Sequence, residues 1–167
     1  MKRIVSVFIL VSVITLGCSS QSLQEKKCVE AFNTTDVDIY NEINGVVIMK
    51  LLLPYSIEGA EHIIKIIAAK ESWLKIEIPT LFNATAWVNA GSFSIATRNY
   101  QNEAISLYQK PDTEALVVGE FKQQQLVKIY SVNKSWALVK AKDKNGNWIE
   151  GWLEPEMQCS NPYTTCP

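Results

Sequence analysis

Short runs of alternating apolar and polar residues, separated by turn residues, dominate the chain from Asp36 onward. At the end of the run Trp73–Ile78, isoleucines alternate with charged residues, which is the period of a half-buried β-strand. Val46–Leu53 and Ala115–Phe121 are further strand-like runs. Helical spacing is scarce, and we expect at most one helical turn, near Glu58–Glu61. The pattern therefore predicts an all-β protein.

The strongest turn signal is Asn145-Gly146, which separates the strand-like run Trp136–Ala141 from a second run, Trp148–Leu153. Both residues of an Asn-Gly pair tolerate positive φ, so the pair favours a tight hairpin. We therefore expect two neighbouring antiparallel strands here.

The chain also contains an internal repeat, because the segments 36–91 and 104–156 can be laid over each other. The clearest matched positions are Tyr40 with Tyr108 (68 residues apart), Trp73 with Trp136 (63 apart) and Trp87 with Trp152 (65 apart). A period of this size is that of one small domain, near the lower size limit for independent stability. Between the copies, 92–103 is expected to be a docked linker, since it carries Phe93, Ile95 and Tyr100.

The second copy carries a set of short motifs in a fixed order: Leu107-Tyr108-Gln109-Lys110-Pro111, Val118-Gly119, Val127-Lys128-Ile129, Ser135-Trp136 and Gly151-Trp152-Leu153. In these motifs it resembles the bacterial SH3 (SH3b-type) domains of envelope proteins. The first copy is more divergent: it lacks the proline, and Ala86 replaces the glycine before Trp87. The resemblance implies two tandem small SH3-like β-barrels, at 36–91 and 104–156.

The first residues have the pattern of an export signal. Lys2 and Arg3 precede the apolar run Ile4–Leu16, which as a helix would span roughly 20 Å, short of the ~30 Å hydrocarbon core. The run ends at Gly17-Cys18, which resembles the lipobox of bacterial lipoproteins. This resemblance implies that 1–17 is a signal peptide, that Cys18 is lipidated and that 18–35 tethers the folded part to a membrane of the cell envelope, on its periplasmic or cell-surface side. The alternative is an ordinary secretory signal.

Charge excludes some partners. Removing Lys2 and Arg3 from 16 basic residues leaves 14, against 17 acidic ones, so the mature chain would carry a net charge of −3. No basic footprint for nucleic acid follows from such a balance. We expect no metal and no cofactor, because His62 is the one histidine and no CxxC pair occurs.

Three cysteines would remain beyond Cys18. Cys159 and Cys166 lie in the tail 157–167, close enough in sequence for a local disulfide, which is the first choice. A bridge from Cys28 to either of them is the rival.

Aromatic residues are the candidate ligand-binding positions. The repeated tryptophans fit two hydrophobic cores. Trp148 follows the Asn145-Gly146 turn and has no counterpart in the first copy, while Tyr130 matches Ile67. Together with Tyr108 and Tyr40, which begin the two copies, they are expected to stack on an extended ligand.

We expect a non-catalytic module that recognises peptidoglycan peptides or another extended peptide. The sequence carries no GxSxG, HExxH or P-loop motif, and His62 has no cysteine nucleophile in a suitable setting. The alternatives are a protein–protein adaptor and an immunity-type or inhibitor-type lipoprotein that acts on an envelope enzyme. The sequence leaves the oligomeric state open.

Overall fold

The computed structural model describes residues 28–53, 63–77, 84–99 and 101–160. The prediction of an all-β protein is confirmed: within these ranges the chain forms thirteen strands and one 3-10 turn, Pro155–Met157. The strands are β1 (Val29–Asn33), β2 (Val37–Tyr40), β3 (Val47–Leu51), β4 (Ile64–Lys70), β5 (Trp73–Glu77), β6 (Thr85–Asn89), β7 (Phe93–Thr97), β8 (Ile105–Tyr108), β9 (Val117–Phe121), β10 (Leu126–Asn133), β11 (Trp136–Lys142), β12 (Trp148–Leu153) and β13 (Gln158–Cys159). The helical turn expected at 58–61 lies outside the described residues. Within the described ranges, no helix is long and apolar enough to span a bilayer.

The strands pair antiparallel along one continuous path, in the order β3-β2-β6-β5-β4-β1-β7-β10-β11-β12-β8-β9, and β13 also pairs with β7. The two copies therefore share a hydrogen-bonded sheet. Closure of each copy into a separate barrel stays a prediction.

The repeat is visible in the strand pairing. In the first copy, β2 and β3 form a hairpin, β4, β5 and β6 form a meander, and Tyr40 on β2 pairs with Trp87 on β6. In the second copy, β8 and β9 form the hairpin, β10, β11 and β12 form the meander, and Tyr108 pairs with Trp152. The register shifts of the two copies also fall at matching places, so both sequences fold with one pairing scheme.

Two segments differ from their expected roles. The range 18–35, expected as a tether, contains β1, and the range 92–103, expected as a linker, contains β7. β1 pairs with β4, β7 pairs with β10, and β1 and β7 pair with each other through Phe32 with Ser94 and Asn33 with Phe93. The physical reason is that both segments carry large apolar residues that this central position buries. Phe93 and Ile95 have no exposed surface.

β1 and β7 are also the first strands of their copies. Glu30 lies opposite Lys65, as Ser94 lies opposite Lys128, so each repeat begins one strand earlier than the sequence comparison indicates. β13 then pairs with β7 at Ala96 and Thr97, and β7 pairs with β1 at the corresponding residues, Phe32 and Asn33. The tail 157–167 therefore begins as part of the sheet.

One hydrophobic cluster spans both copies. Its matched members, buried at equivalent places, are Ile39 and Leu107, Leu51 and Phe121, Ile64 and Val127, Ile66 and Ile129, Ile76 and Val139, and Val88 and Leu153. Burial of these alternate residues leaves the intervening side chains of β10, β11 and β12 on the outer face of the sheet.

Candidate functional site

The outer face of β10, β11 and β12 carries a shallow depression of about 700 Å³, here called the outer groove. Its lining residues are Leu126, Lys128, Tyr130, Lys140, Trp148, Ile149 and Glu150. Strand alternation explains the set, because most of these residues alternate with core residues on their strands. The groove therefore combines two aromatic rings with several charged side chains on rigid strands.

Trp148 is the most exposed large hydrophobic side chain of the groove, with 69% of its surface accessible. It is the first residue of β12 and lies opposite Lys142, whose Nζ is 5.3 Å from the centre of the indole ring. An ammonium at this distance is attracted to the ring face. An exposed indole beside a cation offers an apolar surface and a charge to one ligand.

The turn before Trp148 is held by Asp143. Its Oδ1 accepts hydrogen bonds from the backbone N–H groups of Asn145 and Asn147, each at 2.8 Å. Gly146 adopts a φ of +83°, which glycine reaches at no steric cost, whereas Asn145 does not have a positive φ. The hydrogen bond from the Asn147 backbone is the main cause that lowers the pKa of Asp143 below its ordinary value. The expected hairpin is thus confirmed, and it fixes where β12 begins.

Tyr130 is the extra residue of a β-bulge, because the register passes from Ile129 directly to Ser131. Such a bulge can re-aim a side chain. The ring lies beside Gly91, where an added Cβ would be 3.3 Å from Tyr130 Cε1, and Lys140 Nζ is 4.9 Å from its centre. Tyr130 is half-buried and has neighbours on both sides, so Trp148 is the more available stacking surface.

Tyr108 and Tyr40 lie elsewhere. Each is half-buried and contacts a tryptophan of its own copy edge-on: Tyr108 with Trp136 at 5.6 Å and Tyr40 with Trp73 at 5.0 Å between ring centres. Burial, followed by the nearby Glu154 carboxylate, raises the pKa of Tyr108. The structure thus brings Tyr130 and Trp148 together in the groove, whose lining does not include Tyr108 or Tyr40. A ligand-binding role for the four residues stays a prediction.

The lysines of this face are candidate functional residues that the sequence patterns alone did not indicate. Lys128 and Tyr130 lie two residues apart on β10, and Lys140 and Lys142 lie two apart on β11. That spacing, read with the period of a strand, was the signal that could have placed them together. The cation–π contacts of Lys140 and Lys142 join residues on different strands, so they are visible only in the three-dimensional structure.

The cysteine predictions stay predictions. Cys18 and Cys166 lie outside the described residues, so neither lipidation nor the Cys159–Cys166 bridge is tested. Cys159 lies on β13 with 5% of its surface exposed. Within the described ranges, no group of three or more His, Cys, Asp or Glu side chains could hold a metal ion.

A scan of protein-family models finds no match for the chain, and a search of curated proteins finds none either. Among solved structures, the chain is similar to NlpC1 from Trichomonas vaginalis, with a TM-score of 0.34 and 12% identity over 86% of this chain and 48% of that one. It is also similar to NlpC2 from Trichomonas vaginalis, with a TM-score of 0.32 and 12% identity over 83% of this chain and 49% of that one. The chain spans about half the length of these structures.

Proposed function

We propose that the chain is a non-catalytic binding module of the bacterial cell envelope that holds an extended peptide, such as a peptidoglycan peptide, in the outer groove. The observation that carries the proposal is the exposure of Trp148, which leaves 69% of a large apolar side chain accessible beside Tyr130 and Lys142. Tryptophan is enriched where binding energy is concentrated, because its ring buries much area and loses little side-chain freedom.

The internal repeat supplies a comparison within the same molecule. The two copies match closely in their buried positions, yet the outer face differs: Ile67 stands where Tyr130 stands, and Glu77 stands where Lys140 stands. Since both copies satisfy the same pairing scheme, the fold does not require Tyr130 or Lys140 at these two positions. The first copy has a cation–aromatic contact of its own, Lys75 with Trp87 at 5.9 Å, so the support for a binding role comes from these two substitutions together with the exposed Trp148.

Binding to purified sacculi tests the proposal. We expect the wild-type chain to sediment with sacculi, and Trp148→Ala to weaken binding about tenfold, since loss of a central anchor costs more than about 1.4 kcal/mol. Leu52→Ala is the matched control, because Leu52 is 59% exposed and is not part of the groove lining. If the chain sediments with sacculi no more than an unrelated lipoprotein does, the proposal is contradicted.

We also propose that Cys18 carries a lipid that anchors the module to an envelope membrane. The support is the charged start, the apolar run and Gly17-Cys18. A Cys18→Ser chain should move from the membrane fraction to the soluble fraction and lose incorporation of labelled fatty acid. An unchanged membrane fraction contradicts the anchor.

A protein–protein adaptor, including an immunity-type or inhibitor-type lipoprotein, is the second candidate, and the ends of the sheet favour it. β3 and β9 end the described pairing path, and both expose apolar side chains. These are Val46, Val47 and Ile48 at β3, and Leu116, Val117 and Val118 at β9. Exposed strand edges can pair with a partner strand. Crosslinking in intact cells discriminates: one stoichiometric protein partner favours the adaptor, whereas recovery with sacculi alone favours the binding module.

A further inference from the structure

We infer that the outer groove selects a peptide that carries a free carboxylate, with its apolar part on Trp148 and its anionic group among the lysines of β10 and β11. The inference rests on the proposed function and names the chemical class of its ligand.

The lysines are gathered by strand register. Ile129 on β10 lies opposite Val139 on β11. Because the strands are antiparallel, Lys128, one residue before Ile129, and Lys140, one residue after Val139, are neighbours on the outer face. Lys142 follows two residues after Lys140 and lies opposite Trp148 on β12. Lys142 therefore lies beside the indole ring of Trp148, and Lys128 and Lys140 line the same groove.

Carboxylates in the groove compensate only part of this charge. Glu150 lies opposite Lys140, and its Oε2 is 3.2 Å from Lys140 Nζ. Among the groove lining it is the one acidic residue. Within the lining, Lys128 and Lys140 face this one carboxylate, on a chain whose overall net charge is −1. Lys142 lies beside Trp148 at the border of the groove, where a neighbouring depression brings it together with the acidic Glu120 and Asp143 and the basic Lys122 and Lys144. The local excess of positive charge within the lining attracts an anion.

Like charges on adjoining strands repel each other and destabilise a sheet. Lys140 and Lys142 each lie near an aromatic ring, which partly offsets that cost. A ligand carboxylate near Lys128 and Lys142 would remove the remaining repulsion and gain charge-assisted hydrogen bonds. The face is therefore suited to an anion in a way that its counterpart, with Glu77 in place of Lys140, is not.

Sacculi with modified carboxylates test the inference. The full chain is sedimented with native sacculi and with sacculi whose free carboxylates have been converted to amides. We expect at least tenfold weaker binding to the amidated material, and a loss of binding to native sacculi as salt rises from 0.05 to 0.5 M, because ionic screening acts on exposed pairs (on the order of 10 Å Debye length at 0.1 M). Equal binding to both preparations overturns the inference and leaves the proposed function standing. Absence of binding to either overturns the proposed function and the inference with it.

Neutralising single lysines locates the effect. Lys128→Gln and Lys142→Gln should each weaken binding to native sacculi about threefold to tenfold and should not change binding to amidated sacculi. Lys65→Gln is the matched control, because Lys65 takes the place of Lys128 in the first copy. Equal losses for Lys65→Gln and Lys128→Gln would show a general charge effect and overturn the assignment to the groove. Thermal unfolding of each variant checks that the fold is retained.

Discussion

Tyr108 and Trp136 pack edge to face, with 5.6 Å between ring centres and 85° between the planes. Tyr40 and Trp73 repeat the arrangement in the first copy at 5.0 Å and 87°. Edge-to-face contacts of this kind add about 0.5–1.5 kcal/mol beyond the area they bury. The pair is therefore a structural element common to both copies, which explains why these tyrosines are held away from the groove.

Truncating the two tryptophans should have unequal effects. Trp73 is 7% exposed, whereas Trp136 is half-buried. We expect Trp73→Ala to lower the free energy of unfolding by about 3–5 kcal/mol and Trp136→Ala by roughly 1–3 kcal/mol. Urea denaturation measures both. If both variants lose the same free energy of unfolding, the deeper burial of Trp73 does not determine its contribution to stability.

Gly91 and Gly146 form a matched pair for the contact with Tyr130. Both have positive φ, +80° and +83°, so alanine should cost about 1–2 kcal/mol at either position. An added Cβ at Gly91 would also lie 3.3 Å from the Tyr130 ring, whereas at Gly146 it meets nothing within 4 Å. We expect Gly91→Ala to be the more destabilising and to displace Tyr130, as measured by chemical denaturation and sacculus binding. If Gly146→Ala lowers the free energy of unfolding as much as Gly91→Ala does, the contact between residue 91 and the Tyr130 ring does not affect stability.

Glu154 should make stability depend on pH. Burial raises its pKa, and the carboxylates of Glu156 and Glu103 add to the effect. The folded chain then binds this proton more tightly than the unfolded chain, so the stabilisation is present below the ordinary carboxyl pKa and is lost as pH rises through the raised value. Glu154→Gln should therefore raise the urea midpoint at pH 7 and have a smaller effect near pH 4.

Glu114→Gln serves as the comparison for that measurement, because Glu114 is exposed on the loop after Pro111. If Glu154→Gln raises the urea midpoint equally at pH 7 and near pH 4, or no more than Glu114→Gln does, Glu154 is not the source of the pH dependence of stability.

Asp143 should control the position of Trp148. Asp143→Ala removes the acceptor of the two turn hydrogen bonds, whereas Asp143→Asn keeps one oxygen there. We expect the alanine variant to weaken sacculus binding and lower the thermal midpoint, with the asparagine variant close to wild type. Since the pKa of Asp143 is lowered in the fold, its contribution is lost as pH falls through that lowered value. Unchanged binding by Asp143→Ala would show that Trp148 needs no support from the turn.

Much of the fold could be predicted from the sequence because the internal repeat shows the same pattern of apolar and aromatic positions in both copies. Alternation gave the strands, and Asn145-Gly146 gave the β11–β12 hairpin. β1 and β7 were assigned to connecting segments because a five-residue strand with few alternations has little signal by itself. Their pairing depends on residues far away in sequence, which a local pattern does not contain.

The candidate site was only partly predictable. Trp148 could be singled out because it lacks a counterpart and follows a turn, and Tyr130 because its counterpart is Ile67. Tyr108 could not be separated from Tyr130 by sequence, since its contact with Trp136 brings together two strands that are not adjacent in the chain. The lysine cluster depends on the register of three strands, which sequence alone does not fix.

β7 belongs to both halves of the molecule, since it is bonded to β10 on one side and to β1 and β13 on the other. Separating the two copies anywhere within 92–103 would remove the backbone hydrogen-bond partners of one half and leave an unpaired strand edge on the other. Unpaired strand edges promote aggregation. We therefore expect the two repeats to unfold in one cooperative transition, because they share both the strand β7 and one hydrophobic cluster.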